Sequence, residues 1–127
     1  MMNPPSHVPE PVLDPAALAR LQELDPRGEN GLLDRVFQAF QTSAARLMPQ
    51  LGAARIAGDR AGIRYVAHTL KSSSQSIGAL RLSQLCAHVE SLIRIEATEG
   101  LDAGIDDLVA AMAEVLQAVA ALREGAR

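Results

Sequence analysis

Apolar positions recur at helical spacing in five stretches of the chain, and the polar residues between them supply the caps and breaks that separate helices. Leu18, Leu21 and Leu24 form a short stripe behind Asp14 and Pro15, an N-cap followed by a proline at the first helical position. Pro26 and Gly28 end it. Leu33, Val36, Phe37, Phe40, Ala44, Leu47 and Leu51 predict a long second helix, capped by Asn30 and running to about Ala57. Pro49 lies inside this pattern and predicts a kink or tightened turn near Arg46 rather than a complete break. The run GDRAG at 58–62 reads as a tight connection, with Asp59 capping a third helix from about Arg60 to Ser76 that Gly78 ends. Leu82, Leu85, Cys86, Val89, Leu92 and Ile93 mark a fourth helix. Ile105, Leu108, Val109, Met112, Val115, Leu116 and Val119 mark a fifth, with Gly100 and Gly104 between the two. Residues 1–13 carry Pro4, Pro5, Pro9 and Pro11 without periodicity and read as a disordered tail. Residues 14–127 then form one domain. Four long helices joined by short loops predict an all-α antiparallel four-helix bundle, with the short leading helix packed at one end.

The third helix, laid out as a wheel, gathers Ile63, Val66, Ala67, Leu70, Ser74 and Ile77 into a buried stripe. His68 falls about 170° from the centre of that stripe. Ala61, Arg64, Lys71, Ser72 and Gln75 share its half of the helix, so the ring is expected to point to solvent. Around it Ser72, Ser73, Ser74 and Ser76 are poor helix formers in a chain otherwise filled with Ala, Leu and Arg. Short side chains one turn on would leave the imidazole standing clear. Cys86, within LSQLCAHV, reads as a buried packing residue.

Composition narrows the function. The chain has 127 residues, enough for one core; 48% are hydrophobic but only 2% aromatic, which favours Ala- and Leu-rich helices over sheet. A formal charge of −3 offers no broad basic surface for nucleic acid. No apolar run is long enough to span a membrane, and MMNPPSHVPEPV lacks the apolar segment of a signal peptide, so a soluble cytoplasmic protein is expected; a monomer is also expected. The single cysteine excludes an internal disulfide and a cysteine-based metal cluster. His68 has no His, Cys or carboxylate at i+3, i+4 or i−4, so no metal site is expected. Eleven of the twelve basic residues are arginine, and the one lysine, Lys71, lies three places after His68.

An exposed imidazole with an ordinary pKa of about 6.5 is largely neutral at pH 7 and offers a nucleophilic nitrogen without a dedicated base. Lys71 and Arg64 share its face; their charge favours the neutral ring and would stabilise a transferred phosphoryl group. A phosphate acceptor fits these residues.

The stretch AGDRAGIRYVAHTLKSSSQSIGALRLSQLCAHVE, residues 57–90, resembles the histidine-containing phosphotransfer (HPt) domains of bacterial two-component phosphorelays. The likeness rests on a Gly-Asp connection, Ala-His-x-Leu-Lys at the start of a small-residue turn, Gly-Ala, and a Leu…Cys…Glu spacing. His68, Leu70, Lys71, Ser73, Gly78, Ala79, Leu82, Leu85, Cys86 and Glu90 match it position by position. The resemblance implies that His68 takes a phosphoryl group from an aspartyl phosphate on a receiver domain and passes it to another, with Lys71 contacting the phosphoryl oxygens. It implies as partners the receiver domains of hybrid histidine kinases and response regulators, docking on Ala61, Arg64, Ser72 and Gln75 and on an adjoining face of the second helix. The chain itself would bind no cofactor, Mg²⁺ being held by the partner's carboxylates. One departure stands out: the family usually has glycine where this sequence has Ser72, from which slower or more selective transfer is expected.

Histidine kinases also phosphorylate a histidine in a helical hairpin, but there an acidic residue follows it and a proline comes soon after. Here Thr69 follows, no proline lies beyond His68, and no glycine-rich nucleotide box or P-loop is present. A carrier without autonomous kinase activity is expected. Glu90 reads as a structural hydrogen-bonding residue rather than an acid catalyst. The alternative is a non-catalytic helical module that binds a receiver or other regulator through the same face, with His68 unused. The initiating methionine and the tail favour a free-standing protein over an excised domain.

Overall fold

The computed structural model describes residues 11–125, and these contain five helices. They are α1 (Pro15–Glu23), α2 (Leu32–Ala57), α3 (Arg60–Ser76), α4 (Leu80–Arg94) and α5 (Leu101–Gly125). Helices α2 to α5 close a ring: α2 packs on α3, α3 most extensively on α4, α4 on α5, and α5 back on α2. The short links 58–59, 77–79 and 95–100 force successive helices to run antiparallel, as in an up-and-down bundle. Helix α1 lies against α2, and the Asp14 N–H donates to the Gly78 carbonyl at 2.8 Å, which holds the leading helix over the α3–α4 turn.

The core follows the predicted stripes. Phe37, Phe40, Leu47 and Leu51 of α2 meet Ile63, Val66 and Leu70 of α3, with Leu82, Cys86 and Val89 of α4 and Ile105, Leu108, Met112, Val115 and Val119 of α5. Burial pushes the Cys86 thiol up to about 12, so it packs as a small apolar group rather than a reactive thiolate. Pro49 does not interrupt α2. Both Pro49 and Ala45, whose carbonyl loses the amide that proline lacks, are exposed, so water can serve that carbonyl.

Two predicted caps are in place: Asp14 accepts from the Ala16 N–H at 3.2 Å and Asp59 from the Gly62 N–H at 3.0 Å. Asn30 does not cap α2. The preceding loop folds back so that the Asp25 carboxylate accepts from the Leu32 N–H at 3.1 Å and the Asn30 N–H at 3.3 Å. Gly104 is likewise not in the α4–α5 connection; it is buried in the first turn of α5, facing Val89 and His88 of α4. Leu24 and Val109 drop out of their stripes and are exposed, while the buried residue of α1 is Ala17. Leu13, on the tail side of the expected boundary at Asp14, is buried in the core. Pro4, Pro5, Pro9 and His7 lie outside the described residues.

Candidate functional site

Helix α3 carries its apolar stripe into the bundle as predicted: Ile63, Val66, Ala67, Leu70, Ser74 and Ile77 are all buried. His68 therefore emerges on the far side, with its side chain 64% exposed. The serine-rich turn beyond it stays helical, and several hydroxyls there fold back onto carbonyls about one turn earlier. Thr69 donates to Tyr65 O at 2.9 Å and Ser76 to Ser72 O at 3.0 Å. Ser72, one turn beyond His68, is short and exposed, so little side chain stands over the ring. Ser83, at the start of α4, donates across to the Lys71 carbonyl at 3.0 Å and pins the two helices at this level.

In this register of α3 on α4, Glu90 lies beside His68. His68 Nδ1 lies 2.6 Å from Glu90 Oε2, and Lys71 Nζ donates to Glu90 Oε1 at 2.6 Å. One carboxylate thus bridges both residues singled out in the sequence. The Glu90 side chain is only 15% exposed, yet its pKa is lowered: the Lys71 hydrogen bond outweighs the opposing effect of burial, and the bond to His68 adds to it. An ionised carboxylate can only accept, so the proton of this contact resides on Nδ1. In the neutral ring the lone pair is then on Nε2, the nitrogen remote from Glu90. The arrangement presents an oriented nucleophile to solvent.

The match of Glu90 to the resemblance and its reading as a hydrogen-bonding residue did not reveal what it bonds. No carboxylate stands within one turn of His68 along the chain; the fold supplies one from 22 residues away. Lys71, expected to face an incoming phosphoryl group, is held by the same carboxylate and remains partly exposed. Ala61, Arg64, Ser72 and Gln75 are all exposed. On the α2 side, a groove lined by Gln50, Ala53, Ala57 and Tyr65 adjoins α3. On the α4 side a cavity of about 290 Å³ is walled by Arg64, Lys71, Ala87, Glu90, Ser91 and Arg94. Arg94 carried no signal in the sequence beyond a helical position. Among the described residues no helix is long and apolar enough to cross a membrane, and no group of three metal-ligating side chains occurs.

The family model described as Hpt domain matches residues 35–125. The chain belongs to the Hpt domain family. Its fold is also similar to the crystal structure of histidine-containing phosphotransfer protein B from Pseudomonas aeruginosa PAO1, with a TM-score of 0.81 and 27% sequence identity, over 94% of this chain and 100% of that one. No curated protein sequence matches. The Hpt assignment gives the bundle a role in histidine phosphotransfer within phosphorelays, and it embraces α3 and α4, the helices that carry His68, Lys71 and Glu90.

Proposed function

We propose that this Hpt domain receives a phosphoryl group on His68 Nε2 from the aspartyl phosphate of one receiver domain and returns it to the aspartate of another. The observation that carries the reading is the 2.6 Å contact between Nδ1 and the Glu90 carboxylate beneath an imidazole that is 64% exposed. The Nε2 lone pair attacks phosphorus, the P–O bond to the donor aspartate breaks, and the aspartate leaves as a carboxylate. The ring then carries phosphate on Nε2 and a proton on Nδ1, hence a positive charge that Glu90 faces. Return transfer reverses these bonds. Lys71, with further N–H groups beyond the one given to Glu90, contacts the phosphoryl oxygens. Mg²⁺ belongs to the receiver, whose carboxylates hold it.

The test is incubation with a receiver domain carrying labelled aspartyl phosphate. Label should pass to this chain as an acid-labile, base-stable adduct. His68→Gln should abolish uptake with helical content unchanged. Uptake by the substituted protein would overturn the assignment, and absence of uptake by the unaltered one, across the host's receivers, would favour a module that only binds.

A further inference from the structure

The α3–α4 cavity holds more positive charge than the phosphoacceptor bridge uses. Helices α3 and α4 are antiparallel with His68 level with Glu90, so one turn beyond this pair Arg64 of α3 and Arg94 of α4 stand on opposite walls of the same cavity. Arg60, a further turn along α3, reaches the Ala97 carbonyl at 2.7 Å and confirms the register. Inside the cavity Lys71 and Glu90 neutralise one another. The two guanidiniums do not share that balance. Among the described residues Arg64 makes no side-chain hydrogen bond or ion pair, and Arg94 makes one, a 3.3 Å bond to the neutral Ser91 hydroxyl. Arg20, Arg35, Arg46 and Arg81 are likewise without a side-chain partner among the described residues, whereas Arg55 pairs with Asp102 and Asp106 and Arg123 with Asp34; what distinguishes Arg64 and Arg94 is that they wall one cavity together with Lys71 and Glu90.

Two like charges across an open cavity are favourable only while water solvates them, and an anion between them removes their repulsion. Planar guanidiniums fit carboxylates in a forked, two-bond geometry. In a chain of net charge −3 this is a local positive spot, placed one turn from the reacting ring. Resting on the proposed function, we infer that Arg64 and Arg94 form a clamp for the carboxylates that rim a receiver's phosphorylation pocket, orienting its aspartyl phosphate toward His68 Nε2. That pocket must approach His68 for transfer, and the carboxylates holding its Mg²⁺ come with it. Both arginines act here as positioning residues that select and steer the partner, and Arg94, a turn away from the ring, acts in this way alone.

Transfer from the fastest-reacting host receiver, followed in single turnovers over a range of receiver concentration, tests this. Arg94→Ala should raise the half-saturating receiver concentration severalfold at low salt and leave the saturated rate close to unaltered, and adding Arg64→Ala should raise that concentration further, to about tenfold. The difference should collapse at about 1 M salt, where charges a few ångströms apart are screened. Arg94→Lys in the unaltered background should lose less than Arg94→Ala. A small donor that needs no docking, phosphoramidate, should load Arg94→Ala and the unaltered chain at equal rates. Transfer by Arg94→Ala at the unaltered half-saturating concentration would overturn the clamp, as would a loss in that variant that salt does not change or that phosphoramidate shares. If the unaltered chain took no label on His68 from either donor, the proposed function itself would fall and the clamp with it.

Discussion

Replacing Glu90 by glutamine tests the role of the bridging carboxylate more sharply than deleting it. Glutamate accepts at both oxygens, from Lys71 at 2.6 Å and from the His68 Nδ1–H at 2.6 Å. Glutamine has one acceptor and one donor end. Lys71 can only donate, so it claims the amide oxygen and turns the NH₂ toward His68. Nδ1 must then accept, which moves the proton of the neutral ring to Nε2 and removes the lone pair there. To react, the ring must give up the new bond or the amide must flip against Lys71, at a cost of about 1.5 kcal/mol. That is about a tenfold slower transfer; the 64% exposure of the ring lets water compete for Nδ1 and argues against a much larger figure. Glu90→Ala removes both bonds without imposing the wrong tautomer, so it should slow transfer less. The expected order in label-transfer rate is Glu, then Ala, then Gln. Nitrogen NMR of the neutral His68 ring should place the proton on Nδ1 with Glu90 and on Nε2 with glutamine. Glutamine at or above the alanine rate, or the same tautomer in both proteins, would refute the reasoning.

Other expectations concern the scaffold and its response to acid. Gly78 is buried at φ +77°, and a Cβ there would lie 2.8 Å from Ala17 Cβ and 3.0 Å from the Asp14 nitrogen. Gly78→Ala should therefore cost about 2–3 kcal/mol in urea unfolding, because left-handed strain and a clash with α1 combine. Ser74 Oγ is buried without a hydrogen-bond partner among the described residues, so Ser74→Ala should raise the urea midpoint, by about 1 kcal/mol in stability; a fall would show that the hydroxyl is satisfied. Glu90 has its pKa lowered in the fold, so the unfolded chain takes up the proton first. Its contribution is thus present above the ordinary glutamate value of about 4.3 and is lost as pH falls through the lower folded value. Stability measured against pH should decline less steeply across that window in Glu90→Ala than in the unaltered chain.

The errors in reading the sequence share a cause. Asn30 has the right chemistry and position for a cap, but the loop returns Asp25 to the start of α2, and a residue five to seven places away does the work. Gly104 looks like a second loop glycine beside Gly100. Its environment shows instead a contact of α5 with Val89 and His88, where a small residue suits close approach. Val109 keeps the helical period yet sits at the edge of its stripe, and the rotation of α5 in the bundle leaves it 43% exposed. Leu24 lies just beyond α1, where the period no longer governs its direction.

What the sequence determined alone is what a single helix encodes: the five segments, the Asp14 and Asp59 caps, the buried stripe of α3 and, opposite it, the exposure of His68. These follow from 3.6 residues per turn and from the hydrogen bonds a helix end lacks, both local properties. Only the tertiary structure decided that Glu90 meets His68 and Lys71, and that Arg64 shares a cavity with Arg94. Those pairings depend on the register of one helix against another. Register is set by the core packing of α3 on α4 and by single cross-links such as Ser83 to the Lys71 carbonyl, and no periodicity along the chain records it.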